Sequence, residues 1–345
     1  MDTNNSQDVG NAQAQGGLMA EVIYGENALE TLDCFRERTA AVTMPVPWET
    51  FEQRSRWRPS HVAYVSSMDL ASVEALEQNL PPADVVIGVG GGSACDMAKY
   101  VAWKRNIPLI LVPTVLSVDA AFTPTIAVRE RSIVRYVGNI TPKRILIDYR
   151  LIQSAPPELN RAGAADIASI QTALHDWKLA ATHSDERFDS SIAAQAQRCL
   201  EQLYDTAEDI YHVTPAGIRA LAELFQEEVR LCAEHGNSRP EEGSEHIVAY
   251  AIEHYTKRHF IHGDLVGFGI YAMAMLQENN LDYAVSLMKR CGIRYTLPSV
   301  ERKTLESILL NLVQFKRDAN LFFSVLDVKS PTPEWVQHCL DSLPA

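Results

Sequence analysis

Four of the ten histidines crowd into one stretch, "GSEHIVAYAIEHYTKRHFIHGDLVGFG": His246, His254, His259 and His262. Imidazole nitrogens are common ligands for zinc and related metals, so the first question is which of these rings can share an ion. His246 and His254 lie eight residues apart. On a helix they share a face but stand roughly 12 Å apart along the axis, too far for one ion. His246 and His262 are sixteen residues apart. On one unbroken helix they would point in roughly opposite directions. They meet only if the helix ends and the chain doubles back. "TKRHFIHGD" supplies that break, with poor apolar periodicity and Gly263 after His262. The pair therefore requires a helix, a turn and a second helix that His262 opens. Two histidines and one carboxylate with an open position make a hydrolytic or Lewis-acid site for zinc or iron(II). The carboxylate candidate is Asp166 in "RAGAADIAS", whose small neighbours suit a group facing a crowded cleft. Plainer readings stand beside this one: Asp166 as a helix N-cap, and each histidine as a surface residue.

A second stretch, "VVIGVGGGSACDMAKYVAW", runs from an apolar strand through three glycines into a helix. It matches neither the P-loop, which needs a lysine before the hydroxyl, nor G-x-G-x-x-G, because Ser93 occupies the sixth place. Residues without a Cβ let the backbone approach a ligand closely. The helix that follows presents unpaired N–H groups and the positive end of its dipole, so pyrophosphate is a natural guest. Asp96 is read in the first turn of that helix. A plain tight turn fits the glycines equally well. In "ILVPTVLSVDAAFTP", Thr114 and Ser117 lie just past another buried strand, with Asp119 beyond them. Parallel sheets bind ligands at such strand ends; turn and helix capping by the same residues is the bland alternative.

These residues need elements to hold them. "TAAVTM", "VAYVSS", "DVVIGVG", "IPLILVPT" and "RILIDY" read as strands separated by helical stretches, which implies crossovers and a parallel sheet. "TIAVRE" and "SIVRYV" read as a hairpin laid on that sheet. After Tyr149 the pattern turns helical and stays so to "KTLESILLNLVQF". The expected organisation is a polar, disordered tail over 1–17, an α/β domain over 18–150 and an all-helical domain over 151–345, with the site in the cleft between the two domains.

Bulk properties narrow the function classes. The 345 residues are 46% hydrophobic and 22% charged, with a formal net charge of −13. That balance argues against general binding to nucleic acid or an anionic membrane, though not against an anionic small molecule held by a local positive site. Six scattered cysteines without a C-x-x-C pair read as free thiols. With no signal-peptide layout and no long apolar run, they point to a cytoplasmic protein.

Taken together, "GGGSACDMAK", "PTVLSVDAAFTP", "AGAADI", "GSEH" and "HGDLVGFG" resemble the superfamily of iron-containing alcohol dehydrogenases and dehydroquinate synthases. "AGAADIASIQTALHDWKLA" and "GSEHIVAYAIEH" are most similar to its sn-glycerol-1-phosphate dehydrogenase branch. The resemblance implies a Rossmann-like, dinucleotide-binding α/β domain followed by an all-α domain, the dehydroquinate synthase-like fold. It implies that Gly91, Gly92, Ser93 and Asp96 hold the pyrophosphate of NAD or NADP, with Thr114, Ser117 and Thr123 bordering the nicotinamide. It implies Asp166, His246 and His262 as ligands of one divalent metal, zinc above all, with iron or nickel in relatives. Asp119 and Asp166 would stand beside a polyol or polyol-phosphate substrate, the metal would act as Lewis acid on its oxygen, and the cofactor would carry the hydride. A homo-oligomer is a further expectation. Two departures accompany the resemblance. Tyr250 stands where the branch has a substrate-contacting histidine four residues after the first metal histidine. Met44 and Pro45 stand where an acidic residue would grip the adenosine ribose, which leaves room for NADP. Two other functions are alternatives. A sugar-phosphate cyclase shares the histidine spacing but typically has a glutamate where this chain has Asp166. A non-catalytic cofactor-binding protein is the reading from another class.

Overall fold

The continuous apolar runs of the first half become strands buried on both faces. The structure, a computed structural model, describes residues 20–34, 37–130 and 133–344, so the expected tail over 1–17 lies outside the described residues. Six strands form one parallel sheet: β1 (Glu21–Gly25), β2 (Thr39–Thr43), β3 (His61–Tyr64), β4 (Val85–Gly90), β5 (Leu109–Pro113) and, after a hairpin, β8 (Arg144–Asp148), in the order β1-β8-β5-β4-β2-β3. β2, β4 and β5 are buried at every residue, which is why they read as unbroken apolar stretches rather than alternating ones. Helices α1 (Pro45–Glu52), α2 (Leu70–Asn79) and α3 (Gly92–Arg105) connect them. β1 escaped the sequence reading: it is short and only half-buried at the sheet edge.

The register sets the first candidate site. Gly90 pairs with Pro113 across β4 and β5, and Thr114 N–H donates to the Gly90 carbonyl at 3.0 Å. The glycine turn and the Thr114–Thr123 loop therefore leave the sheet side by side. The hairpin, β6 (Thr125–Glu130) and β7 (Ile133–Asn139), forms a separate antiparallel pair rather than lying on the large sheet. It packs on α3, with Gly138 against the Trp103 ring.

The chain divides into two units, one of residues 20–163 and 209–226, the other of 164–208 and 227–344. The expected boundary near 150 thus falls later. The first helices after Tyr149 belong with the sheet: α4 (Tyr149–Gln153) puts Leu151 into the core beneath the sheet with Phe51, Ile87 and Leu146. In α5 (Pro157–Ala162), buried Asn160 accepts from Leu116 N–H at 2.9 Å and donates to the Ile152 carbonyl at 3.1 Å.

The other unit is built on α6 (Ala164–His183), α9 (Ser244–Thr256) and α10 (His262–Gln277), with α11 (Leu281–Cys291), α12 (Arg302–Leu310), α13 (Leu312–Asp318) and α14 (Pro333–Asp341) around them. α7 (Ser190–Tyr211) and α8 (Pro215–His235) contribute to both units. α10 is apolar all round, from Leu265 to Leu276, because it is buried on all sides. No helix among the described residues is long and apolar enough to cross a membrane. Cys95, Cys199, Cys232, Cys291 and Cys339 form no disulfide among the described residues.

One buried charge anchors α3. Lys99 is fully buried; its ammonium pairs with Asp96 Oδ1 at 2.7 Å and donates to the carbonyls of Thr123 at 3.2 Å and Thr125 at 2.5 Å. Breaking such a pair from one side leaves a charge in low dielectric, at a cost of about 3–5 kcal/mol. Lys99→Met is expected to lose stability of that order in urea unfolding, and Asp96→Asn in the same chain to restore most of it. A loss below about 1 kcal/mol in the single variant would remove the pair as an anchor.

Candidate metal centre and anion-binding helix end

Three helix starts carry the metal-ligand candidates. Asp166 is the third residue of α6, His246 the third of α9 and His262 the first of α10. The reversal between the histidines is built by Lys257, which ends α9 in the left-handed conformation with φ of 54°, and by the short segment to Ile261. One ligand atom from each of Asp166, His246 and His262 lies within 4.8 Å of the others. His262 Nε2 is 3.5 Å from Asp166 Oδ1, and the two imidazole centroids are 5.4 Å apart. Asp166 and His246 are buried, His262 half-buried. This donor set, two imidazoles and one carboxylate, fits a divalent ion with coordination positions left over. Burial alone would push His246 towards neutrality, but Glu245, Glu242 and Asp166 outweigh it and lift its pKa to about 10. The surroundings thus favour positive charge.

The approach of the helices is enforced by missing side chains. A Cβ at Gly269 on α10 would lie 2.3 Å from the Glu245 carbonyl; only glycine lets α9 and α10 meet so closely at this level. The first N–H groups of α9 have no capping side chain at Gly243. Instead, Glu245 reaches back to accept from Gly243 N–H at 2.5 Å, and Asp176 of α6 accepts from Ser244 N–H at 2.7 Å. The other Asp176 oxygen accepts from Val325 N–H at 2.6 Å.

Glu245 escaped the sequence reading. It is fully buried, and its Oε1 lies 2.9 Å from His246 Nδ1. The one signal available was its place beside His246 in "GSEH". Tyr250, one turn beyond His246, has its ring centroid 6.1 Å from the imidazole and donates to Glu242 Oε1 at 2.5 Å. Ser238 donates to the other Glu242 oxygen at 2.6 Å. Tyr250 is therefore held by a carboxylate.

In the sheet unit, α3 begins at Gly92 with Gly91 as an N-cap that offers no side chain, and no side-chain hydrogen bond caps the helix. The amides of its first turn point outward without intrahelical acceptors. Ser93 is exposed there. A Cβ on Gly91 would meet Val115 at 3.1 Å, and one on Gly92 would meet Val118 at 3.1 Å. The glycines thus let the adjoining loop close onto the turn. Ser117 and Thr114 sit in that loop, Thr114 buried and Ser117 half-buried. Asp119 opens a 3-10 turn whose carbonyl accepts from Phe122 and Thr123 N–H. Asp96 departs from its expected place: it lies beyond the first turn, and its carboxylate is held by Lys99. Thr123 supplies a carbonyl to the same lysine. Met44, at the end of β2, is 40% exposed and leads straight into α1 through Pro45.

The sequence model of the iron-containing alcohol dehydrogenase family matches residues 49–156. A glycerol-1-phosphate dehydrogenase [NAD(P)+] of Hyperthermus butylicus is 29% identical over 81% of this chain and 84% of its own length. The protein of that name from Thermoplasma acidophilum is 30% identical over 68% of this chain and 67% of its own. Among solved structures, an iron-containing alcohol dehydrogenase from Corynebacterium glutamicum superposes with a TM-score of 0.69 at 15% identity, covering 94% of each chain. It shares the fold.

Asp176 gives this region a pH dependence. Burial is the largest influence on its carboxyl and raises the pKa from 3.8 to about 7. A raised acid pKa means stability that is fully present below the unfolded value and lost as pH rises through the folded one. The melting temperature is expected to fall between about pH 4 and pH 8, and Asp176→Asn to lose that share of the slope. Identical pH profiles for the two proteins would rule the assignment out.

Proposed function

The chain belongs to the iron-containing alcohol dehydrogenase superfamily, in the branch of the glycerol-1-phosphate dehydrogenases, and on that premise we propose that it reduces dihydroxyacetone phosphate, or a closely related polyol ketone, with NADH or NADPH. The observation that carries this reading is the convergence of Asp166, His246 and His262 within 4.8 Å. These three would hold one divalent ion, zinc in the first instance. When bound, it supplies Lewis acidity that stabilises negative charge on a carbonyl or alcohol oxygen.

The chain's own residues do the rest. His246 and His262 present nitrogens, and Asp166 a carboxylate, from helix starts fixed by packing, so the donor set is preorganised. Tyr250, one turn from His246, donates its hydroxyl hydrogen to Glu242, so its oxygen is the atom suited to accept from a substrate hydroxyl. The free amides of Gly92, Ser93 and Ala94 at the start of α3 are suited to the pyrophosphate of the cofactor. Thr114, Ser117 and Thr123 are read as bordering the nicotinamide, and Asp119 as a substrate neighbour. Asp96 acts in this reading through Lys99, holding the Thr123–Thr125 segment. The thiols described as free agree with a reducing, cytoplasmic setting.

Incubation with zinc, dihydroxyacetone phosphate and NADH or NADPH is expected to consume the reduced cofactor, read at the nicotinamide absorption band. Iron(II) and nickel are the comparison metals. His262→Ala is expected to lower kcat/KM by about a thousandfold or more and to release the metal on dialysis. Absence of turnover with every small ketone and metal tried would overturn the proposal.

Cofactor choice gives a separate expectation. No carboxylate follows β2 at Met44 or Pro45 to bind the ribose hydroxyls and repel a 2′-phosphate. kcat/KM for NADPH is expected within about tenfold of that for NADH, a difference of roughly 1.4 kcal/mol. A preference for NADH beyond a hundredfold would show that another group performs that selection.

A further inference from the structure

We propose that Glu245 is the positioning residue of the metal centre: its carboxylate holds the Nδ1–H of His246 and so makes Nε2 the ligand atom. The inference rests on reading Asp166, His246 and His262 as a metal site. Glu245 is fully buried, so no bulk water competes for its oxygens. Oε1 lies 2.9 Å from His246 Nδ1 and accepts from Gly243 N–H at 2.5 Å; Oε2 accepts from Thr172 Oγ1 at 2.6 Å. An ionised carboxylate only accepts hydrogen bonds. Nδ1 must therefore carry its hydrogen, which in a neutral imidazole leaves the lone pair on Nε2.

The carboxylate is itself immobilised from two helices. Thr172 lies on α6, the helix that carries Asp166, and Gly243 precedes α9, the helix that carries His246. A single buried group thus ties two of the three ligand-bearing elements together and fixes the ring of one ligand. It also adds a second negative charge beside that of Asp166, so a divalent ion meets two buried charges of opposite sign. Partners of this kind alter metal affinity by about 10–100-fold when removed. A carboxylate that merely capped α9 would affect the metal-free fold and leave the affinity unchanged.

Three variants separate these roles. Glu245→Gln keeps an acceptor for His246 and removes the charge. Glu245→Ala removes both. Thr172→Val leaves Glu245 in place and frees one oxygen. Zinc affinity is measured for the full chain by competition with a chromogenic chelator, together with the visible absorption of the cobalt(II) form and the melting temperature of the metal-free protein. Expected is a loss of about 10–100-fold in zinc affinity for Glu245→Ala. Smaller losses and an altered cobalt spectrum are expected for Glu245→Gln and Thr172→Val, each measured at a temperature where the metal-free variant is folded. If Glu245→Ala does not fold, the other two variants carry the test. Parental zinc affinity and an unchanged cobalt spectrum in both Glu245→Gln and Thr172→Val overturn the positioning role alone. Failure of the parent chain to bind zinc or cobalt overturns the metal site, and this inference with it.

Discussion

Three helices of one unit begin at a single point, and the positive ends of their dipoles meet there. The first turns of α6, α9 and α10 supply Asp166, His246 and His262, whose donor atoms lie within 4.8 Å of one another. Each helix start carries roughly half a positive charge from its unpaired amides, so such a meeting is unfavourable unless negative charge is placed among them. The chain places Asp166, Glu245 and Asp264 in those first turns, and Glu242 just before α9. The carboxylates that make the helix ends compatible overshoot: they outweigh the burial of His246 and lift its pKa to about 10. Helix-end electrostatics and the preference for positive charge at His246 thus come from the same carboxylates.

Packing follows from that constraint. Helices can share a starting point only if their backbones come unusually close, so bulk is stripped from the contact faces. α6 opens with Ala164 and Ala165, and α10 carries Gly269 where a methyl group would strike the backbone of Glu245. Small residues reduce apolar burial per residue, and the polar contacts offset this. Asp176, Glu245 and Thr172 link α6 to the start of α9 through hydrogen bonds among buried groups. A buried network of this kind holds one geometry when all its members are satisfied.

The sequence made the periodic parts of this arrangement visible. Fully buried strands announce themselves as apolar runs, and the distance between His246 and His262 demanded a reversal that Lys257 to Ile261 supplies. What stayed hidden depends on direction rather than composition. Glu245 could be recognised only by knowing that its side chain folds back towards Gly243 and His246. Asp96 falls beyond the first turn because Gly91, and not a later residue, is the N-cap of α3. The unit boundary lies beyond the point where strand signals give way to helical ones, because Pro157 opens α5 and Asn160 then binds the loop at Leu116. β1, partly exposed along its length, lacked the run that betrayed its neighbours.

The glycine turn shows how a packing demand can be told apart from a capping choice. Val115 and Val118 lie where side chains on Gly91 and Gly92 would go, at 3.1 Å in each case. Close packing of the neighbouring loop is therefore sufficient reason for small residues. It is not sufficient reason for an uncapped helix. Serine and aspartate are favoured at an N-cap because they satisfy the first amides, with a gain of about 1 kcal/mol. Gly91 gives up that gain. A 14-residue helix that starts at a strand end with no side chain at its N-cap keeps the positive end of its dipole at that strand end. Packing therefore accounts for the small residues at both positions, and the N-cap without a side chain is a separate choice, one that α9 repeats at Gly243.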